Sequence, residues 1–363
     1  MMIEGLKRAM TAKQDKPRIV GSGLALSTGS TLLNLAMTGD PQRGWVAGHY
    51  FLFVGDSDSG KSWFMHTALA EASINPKFNK YRLIYDNTEA KSLMDISRYF
   101  GDRLAARITA PRESNGGPVF SETTEEFYYH VDDALKDGRP FIYILDSQDS
   151  LTSNREAKKF GQLKAKARGK KIETSDGDYS DGKAKVHSSH MRQLIAPLAK
   201  QNSILIVVNQ SRDSFDMYNK DSFSGGRALK FYAVCQLWSS HGGKLQKVYR
   251  DKKRQLGIKS KIVIKKNHIT GKQSEVVVPI YHSHGIDDVG CCIDWLLDEG
   301  VWTKNGSGVI KATGIGPAIE AKYEALVHKI EEHKLEEDLR DLVGETWREI
   351  EEATAVNRKS RYS

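Results

Sequence analysis

The chain has 363 residues, 39% hydrophobic and 28% charged, with 54 Lys and Arg against 46 Asp and Glu for a formal charge of +8. That composition excludes disorder throughout and suggests about two domains, one of them large enough to bury a full α/β core. The longest apolar runs, such as 141–145 and 204–208, are strand-length and far below the roughly 20 residues that cross a bilayer, so no membrane span is expected.

Residues 1–20 are polar and mixed, a short helix or arm, and the opening Met-Met-Ile-Glu-Gly-Leu-Lys-Arg has no apolar signal core. The stretch 44–54 then ends in a buried-type strand, closes on a Gly/Ser/Asp turn and passes into a helix from Lys61 to about Ser73. A strand over Tyr81–Tyr85 follows, then a helix over Glu125–Lys136, an apolar strand Phe141–Leu145, a helix around Met191–Lys200 and a third apolar strand, Ile204–Val208. Strands that alternate with helices and lack period-2 polarity belong to a mainly parallel sheet covered on both faces. Between Leu151 and Val186 the pattern lapses into a polar stretch, long for a structureless loop and therefore expected to be functional or disordered. A shorter polar segment spans Ser211–Gly226.

Further strands are expected near Ala233–Trp238, Ser260–Lys265 and Glu275–Ile280, and a small helix–turn–strand unit over 290–311. The tail from Ala318 to Glu352 reads as helical, with Leu326, Ile330, Leu339, Val343, Trp347 and Ile350 on one face. Cys235 stands alone and Cys291 adjoins Cys292, which gives neither a disulfide framework nor a C-x-x-C metal spacing. A reduced cytoplasm is the expected compartment, and a core position is expected for all three. Charge is segregated: Arg155–Lys171 has eight Lys/Arg against one Glu (+7), Lys244–Lys272 eleven against one Asp (+10), and Ala318–Glu352 five against twelve Asp/Glu (−7).

Gly55-Asp56-Ser57-Asp58-Ser59-Gly60-Lys61-Ser62 is a complete G-x-x-x-x-G-K-[ST] between a predicted strand and a predicted helix, the context that motif requires. Residues Gly55 through Trp63 are therefore the expected nucleotide cradle, with Lys61 reaching the β- and γ-phosphates of ATP and Ser62 holding Mg²⁺. The second magnesium-orienting carboxylate is expected at the end of a neighbouring buried strand, where Asp146 follows Phe141–Leu145. Glu89 is the expected water-positioning base, with Asp86 as its competitor. Gln210, at the mouth of the third apolar strand, is placed to sense the γ-phosphate.

The same residues, taken with Ser27-Thr28-Gly29-Ser30, Ser189-His190-Met191, Asn209-Gln210-Ser211-Arg212 and the string Gly225-Gly226-Arg227-Ala228-Leu229-Lys230-Phe231-Tyr232-Ala233, resemble the bacterial and phage RecA recombinases over roughly residues 20–285. The resemblance implies a RecA-type P-loop α/β core over 46–285, with an N-terminal arm and lead-in over 1–45 and a small C-terminal domain over 286–363 that carries the acidic helix. It implies an ATP-driven filament on single-stranded DNA that pairs it with homologous duplex DNA, in a bacterial or phage-infected cell. A recombination mediator or single-strand-binding protein is an implied partner. Two implied DNA loops fall on Leu151–Ser189 and Ser211–Gly226, with Arg212, Gly225, Gly226 and Arg227 as contacts by motif position and Lys164, Lys166, Arg168, Lys170 and Lys171 as further cations. Lys266 matches the first lysine of a segment that reaches the ATP of a neighbouring subunit, and His268 stands where a second lysine is usual. Asn87 stands where an Asp is usual. Two other readings stay open. One is a ring-forming helicase or translocase of the same fold, suggested by Lys265-x-x-His268-x-x-Gly271; the other is a DNA-binding mediator that uses ATP as an assembly switch.

Overall fold

The computed structural model describes residues 23–89, 94–168, 182–212, 222–223, 226–356 and 358, so the expectations for residues 1–20, Lys170, Lys171 and Gly225 lie outside the described residues. Its centre is a ten-stranded sheet. The strands are β1 (Tyr50–Gly55), β2 (Arg82–Asn87), β3 (Ile108–Thr109), β4 (Phe141–Asp146), β5 (Ile204–Arg212), β6 (Ser222–Phe223), β7 (Cys235–Tyr249), β8 (Lys252–Asn267), β9 (Ser274–Tyr281) and β10 (Gly285–Ile286). Their order is β10-β9-β8-β7-β1-β5-β4-β2-β3, with β6 paired to β5. Pairing is parallel from β7 through β1, β5, β4 and β2 to β3, and antiparallel from β7 outward through β8 and β9 to β10.

The continuous apolar strands are buried on both faces, as their lack of alternation requires. Along β1 and β4, alternate residues enter opposite cores: Phe51, Phe53, Ile142 and Ile144 one, Leu52, Val54, Tyr143 and Leu145 the other. The first core is covered by α1 (Thr31–Thr38) and α2 (Lys61–Ile74), the second by α3 (Thr124–Lys136), α5 (Gly182–Gln201) and α6 (Gly226–Tyr232). A capping box starts α3: Glu126 N–H donates to Thr123 Oγ1 at 3.2 Å and Thr123 N–H to Glu126 Oε2 at 3.0 Å.

Two expectations are revised. The polar stretch after Leu151 is not a continuous loop, since α4 (Asn154–Ala167) occupies its first part and α5 begins at Gly182. Ser153 and Glu156 form a second reciprocal cap there, at 2.7 and 3.2 Å, which stabilises the start of a lysine-rich helix. The tail is not one helix. Ile319–Lys322 is a strand, and α8 (Tyr323–Glu332) breaks from α9 (Glu336–Ala353) around Lys334, whose φ is 55°. Ahead of them lies α7 (Asp288–Asp298). Leu326, Ile330, Leu339 and Val343 are buried in the first core together with Cys291 and Cys292, while Ile350 is 36% exposed. Asp288 ties this region to α1 by accepting from Thr31 N–H and Oγ1 at 2.6 and 2.8 Å. Among the described residues no helix is long and apolar enough to cross a membrane.

Candidate functional site

Register brings the site together. Gly55 pairs with Gln210 and Asn87 with Asp146, so the carboxyl ends of β1, β5, β2 and β4 lie level at one edge of the sheet. Ligand-facing groups of a parallel sheet collect at that edge. They line a cleft of about 710 Å³ that includes Asp58, Lys61, Ser62, Glu89, Asp146 and Gln210.

The turn from β1 into α2 has little room. A Cβ on Gly55 would lie 1.9 Å from Ser239 Oγ, and Gly60, at φ 92°, would place one 2.5 Å from Ile280 Cδ1. Glycine is therefore required at both ends of the loop. The loop's two acids have structural uses: Asp56 Oδ1 accepts from Ser211 Oγ at the end of β5, and Asp58 holds a left-handed turn at φ 58°, a conformation Asp tolerates better than most residues.

Lys61 Nζ donates to the carbonyls of Gly55 at 2.8 Å and Asp56 at 2.6 Å. Burial lowers its pKa, against the opposing pull of Asp146 and Glu89. Ser62 Oγ and Tyr85 Oη both donate to Asp146 Oδ2, at 2.8 and 2.6 Å. His66, one turn into α2, is buried beside Tyr85 with Nδ1 2.8 Å from Ser62 O, and burial lowers its pKa. Trp63 packs edge-on against Tyr99.

Glu89 Oε1 accepts from Ser147 Oγ at 2.5 Å and from Gln210 Nε2 at 3.1 Å. Its competitor is committed elsewhere: Asp86 is fully buried and accepts from Ser121 Oγ at 2.6 Å and Tyr143 Oη at 2.7 Å. Burial raises the Asp86 pKa, and those hydrogen bonds oppose the rise.

These residues fit Mg-ATP by the chemistry of the donor set. A lysine rests on backbone carbonyls it can leave, a hydroxyl already meets a carboxylate at the strand end, and a second carboxylate is held across the cleft.

Other expected residues do not converge there. Lys266 pairs with Gln236, three residues before Ser239, which is level with Gly55; it therefore lies roughly 10 Å down the sheet from the P-loop. Its Nζ caps the end of α6 on the carbonyls of Lys230 at 3.0 Å and Phe231 at 2.7 Å. Gly226, at φ 76°, is demanded by packing: a Cβ would meet Ala184 Cβ at 2.9 Å. Arg227 is exposed at the start of α6, and Lys164 and Arg168 are exposed on and just after α4. Lys166 lies on α4, and Arg212 pairs with Ser222 at the end of β5. Sequence reasoning missed His241, Lys244, Gln255 and His282, which line the cleft from β7, β8 and the turn after β9.

A family model for the RecA N-terminal domain matches residues 163–287. The chain is 27% identical over 286 residues to Protein RecA of Thermus thermophilus, covering 78% of this chain and 74% of that protein. Protein RecA of Synechococcus sp. is 26% identical over 287 residues, covering 78% and 66%. Protein RecA of Cereibacter sphaeroides is 29% identical over 189 residues, about half of each chain.

Proposed function

The chain belongs to the RecA family, and on that premise we propose that it is a DNA-dependent ATPase and recombinase that assembles head to tail on single-stranded DNA and exchanges strands with homologous duplex. The observation that carries this reading is the contact between Gln210 and Glu89. Glu89 lies in the nucleotide cleft, and Gln210 leads directly into the segment 211–226, so the two halves of a DNA-coupled ATPase meet in one hydrogen bond.

Lys61 and the backbone N–H groups of Gly55–Ser62 would bind the polyphosphate, and Ser62 with Asp146 would hold Mg²⁺. Bound Mg-ATP supplies an anhydride bond whose cleavage changes the charge in the cleft. Glu89 orients the attacking water and takes its proton, with Ser147 Oγ fixing the carboxylate. Gln210 exchanges its bond to Glu89 for the γ-phosphate and so reports nucleotide state to the segment behind it. Arg212, Gly225, Gly226 and Arg227, with Lys164, Lys166, Arg168, Lys170 and Lys171, contact the DNA backbone, leaving sequence to be read by base pairing. Lys266, by its motif position, acts across the subunit interface, leaving for the neighbour's nucleotide the α6 carbonyls it caps here.

The test is three-strand exchange with ATP. Joint molecules are expected with the native chain and none with Lys61→Ala. DNA-stimulated hydrolysis without joint molecules would overturn the recombinase reading and favour the mediator.

A further inference from the structure

We propose that Lys244 is a second phosphate-binding cation of the nucleotide cleft, supplied by the same chain and aimed by a bulge at Gly242; this rests on the nucleotide reading of that cleft. Past Ser239, β7 no longer pairs with β1 but stays paired to β8, which is itself paired to β9 as far as Gly257; beyond Gly257 the two strands continue as a two-stranded ribbon. In an uninterrupted strand, residues three apart face opposite ways. His241 pairs with Ser260, Gly243 with Lys259 and Lys244 with Ile258, so Gly242 is the extra residue of a bulge. The bulge turns Lys244 onto the same face as His241.

That face is the P-loop face. Ser260 Oγ donates to Ser59 O at 2.7 Å, and His241, Lys244, Gln255 and Ile258 all line the cleft across from Asp58 and Lys61. The bulge is closely packed, since a Cβ on Gly242 would lie 3.1 Å from Lys259 O.

Charge supports the assignment. Lys247 holds Glu324 at 3.0 Å, Lys261 holds Glu275 at 2.8 Å, and Lys265 lies 3.9 Å over the Trp238 ring. Lys244 holds no carboxylate or hydrogen-bond acceptor among the described residues. The P-loop it faces carries Asp56 and Asp58 against Lys61 alone. A triphosphate entering such a loop meets like charge, and a second ammonium offsets it. The expected ligand preference is therefore triphosphate over diphosphate.

The experiment is equilibrium binding of fluorescent ATP and ADP analogues, with Mg²⁺, to the full chain. Lys244→Gln is expected to weaken the triphosphate about tenfold, the diphosphate less, and to flatten the salt dependence. Lys244→Arg should retain binding. Lys253→Gln removes the same charge farther out on the ribbon and should change neither affinity. Native affinity in Lys244→Gln, or an equal loss in Lys253→Gln, overturns the assignment while the nucleotide reading stands. A native chain that binds neither analogue overturns both.

Discussion

At the carboxyl edge of the sheet the candidate side chains end on protein atoms: Lys61 on two carbonyls, Ser62 and Tyr85 on Asp146, Ser147 and Gln210 on Glu89. On α4 the situation reverses. Phe160 and Leu163 stand 69% and 57% exposed, and Lys164 and the following Arg168 point to water. Phosphoryl chemistry needs charges held in place before the substrate arrives, because reorganising them during reaction raises the barrier. A polyanion needs only cations free to displace its counterions. The first region is therefore fixed by hydrogen bonds and the second by composition, and each should fail in its own way.

The largest expected effect is at the fixed region. Lys61→Ala should lower DNA-stimulated phosphate release by about 10²–10³-fold or more, while the melting temperature stays close to native because the hydrogen bonds lost are to two backbone carbonyls at the rim of the cleft and the removed charge opposes Asp146 and Glu89 only through partly screened attraction. A large fall in melting temperature would show that the cleft and the fold cannot be separated in this way. In the free region, Lys164→Gln with Arg168→Gln should weaken single-stranded DNA binding and lower the slope of log K against log salt by roughly 0.7 per lost contact. ATP affinity should not move. An unchanged slope would remove α4 from the DNA surface.

The same contrast decides what was legible beforehand. Phe141–Leu145 and Ile204–Val208 announced themselves because strands buried on both faces must be apolar throughout, and the P-loop because its glycines answer steric demands at Gly55 and Gly60. The outer halves of β7 and β8 were not visible. They are polar, and strand pairing rather than a core holds them. The helix α4 carries a capping sequence, Ser153-Asn154-Arg155-Glu156, and Ala157, Phe160, Leu163 and Ala167 at helical spacing, but lysines interleave that stripe and Phe160 and Leu163 stand exposed, so it lacks the pattern of a core-facing helix. Neither the place of Lys266 on the end of α6 nor the face of Lys244 could be read in advance, since both depend on pairing register. Asp86 stood in sequence as the competitor of Glu89; its burial and its two hydroxyl partners depend on the packing of β2 against β4 and the segment at Ser121, which no local motif announces.

A pH titration sharpens the comparison from below. His187 on α5 is buried with its Nδ1 2.7 Å from Tyr128 Oη, and burial pushes its pKa down to about 3. Between its ordinary value near 6.5 and about 3 the unfolded chain binds a proton that the folded chain refuses, so stability is retained above that window and falls as the pH drops through it. One such group adds a slope of up to about 1.4 kcal/mol per pH unit. Urea unfolding at pH 7 and pH 4.5 should show the loss, and His187→Phe should reduce it. An equal loss in that variant would place the acid sensitivity elsewhere, in His66 among other groups.

The smallest effect probes how α4 is held at all. Its first turn rests on the reciprocal bonds between Ser153 and Glu156, and Glu156 also meets Lys183 of α5 at 3.5 Å. Ser153→Ala removes one cap bond and should cost about 1 kcal/mol locally, or about fivefold in the hydrogen-exchange protection of the amides following Ser153. The amides of α2 should be unaffected, because its start is set by Gly60 and the P-loop instead. DNA affinity should fall slightly, since a frayed helix must be ordered before its cations can act together. If protection falls equally in α2, the two regions open as one unit, and a fixed cleft beside a loosely held basic surface is the wrong description of this molecule.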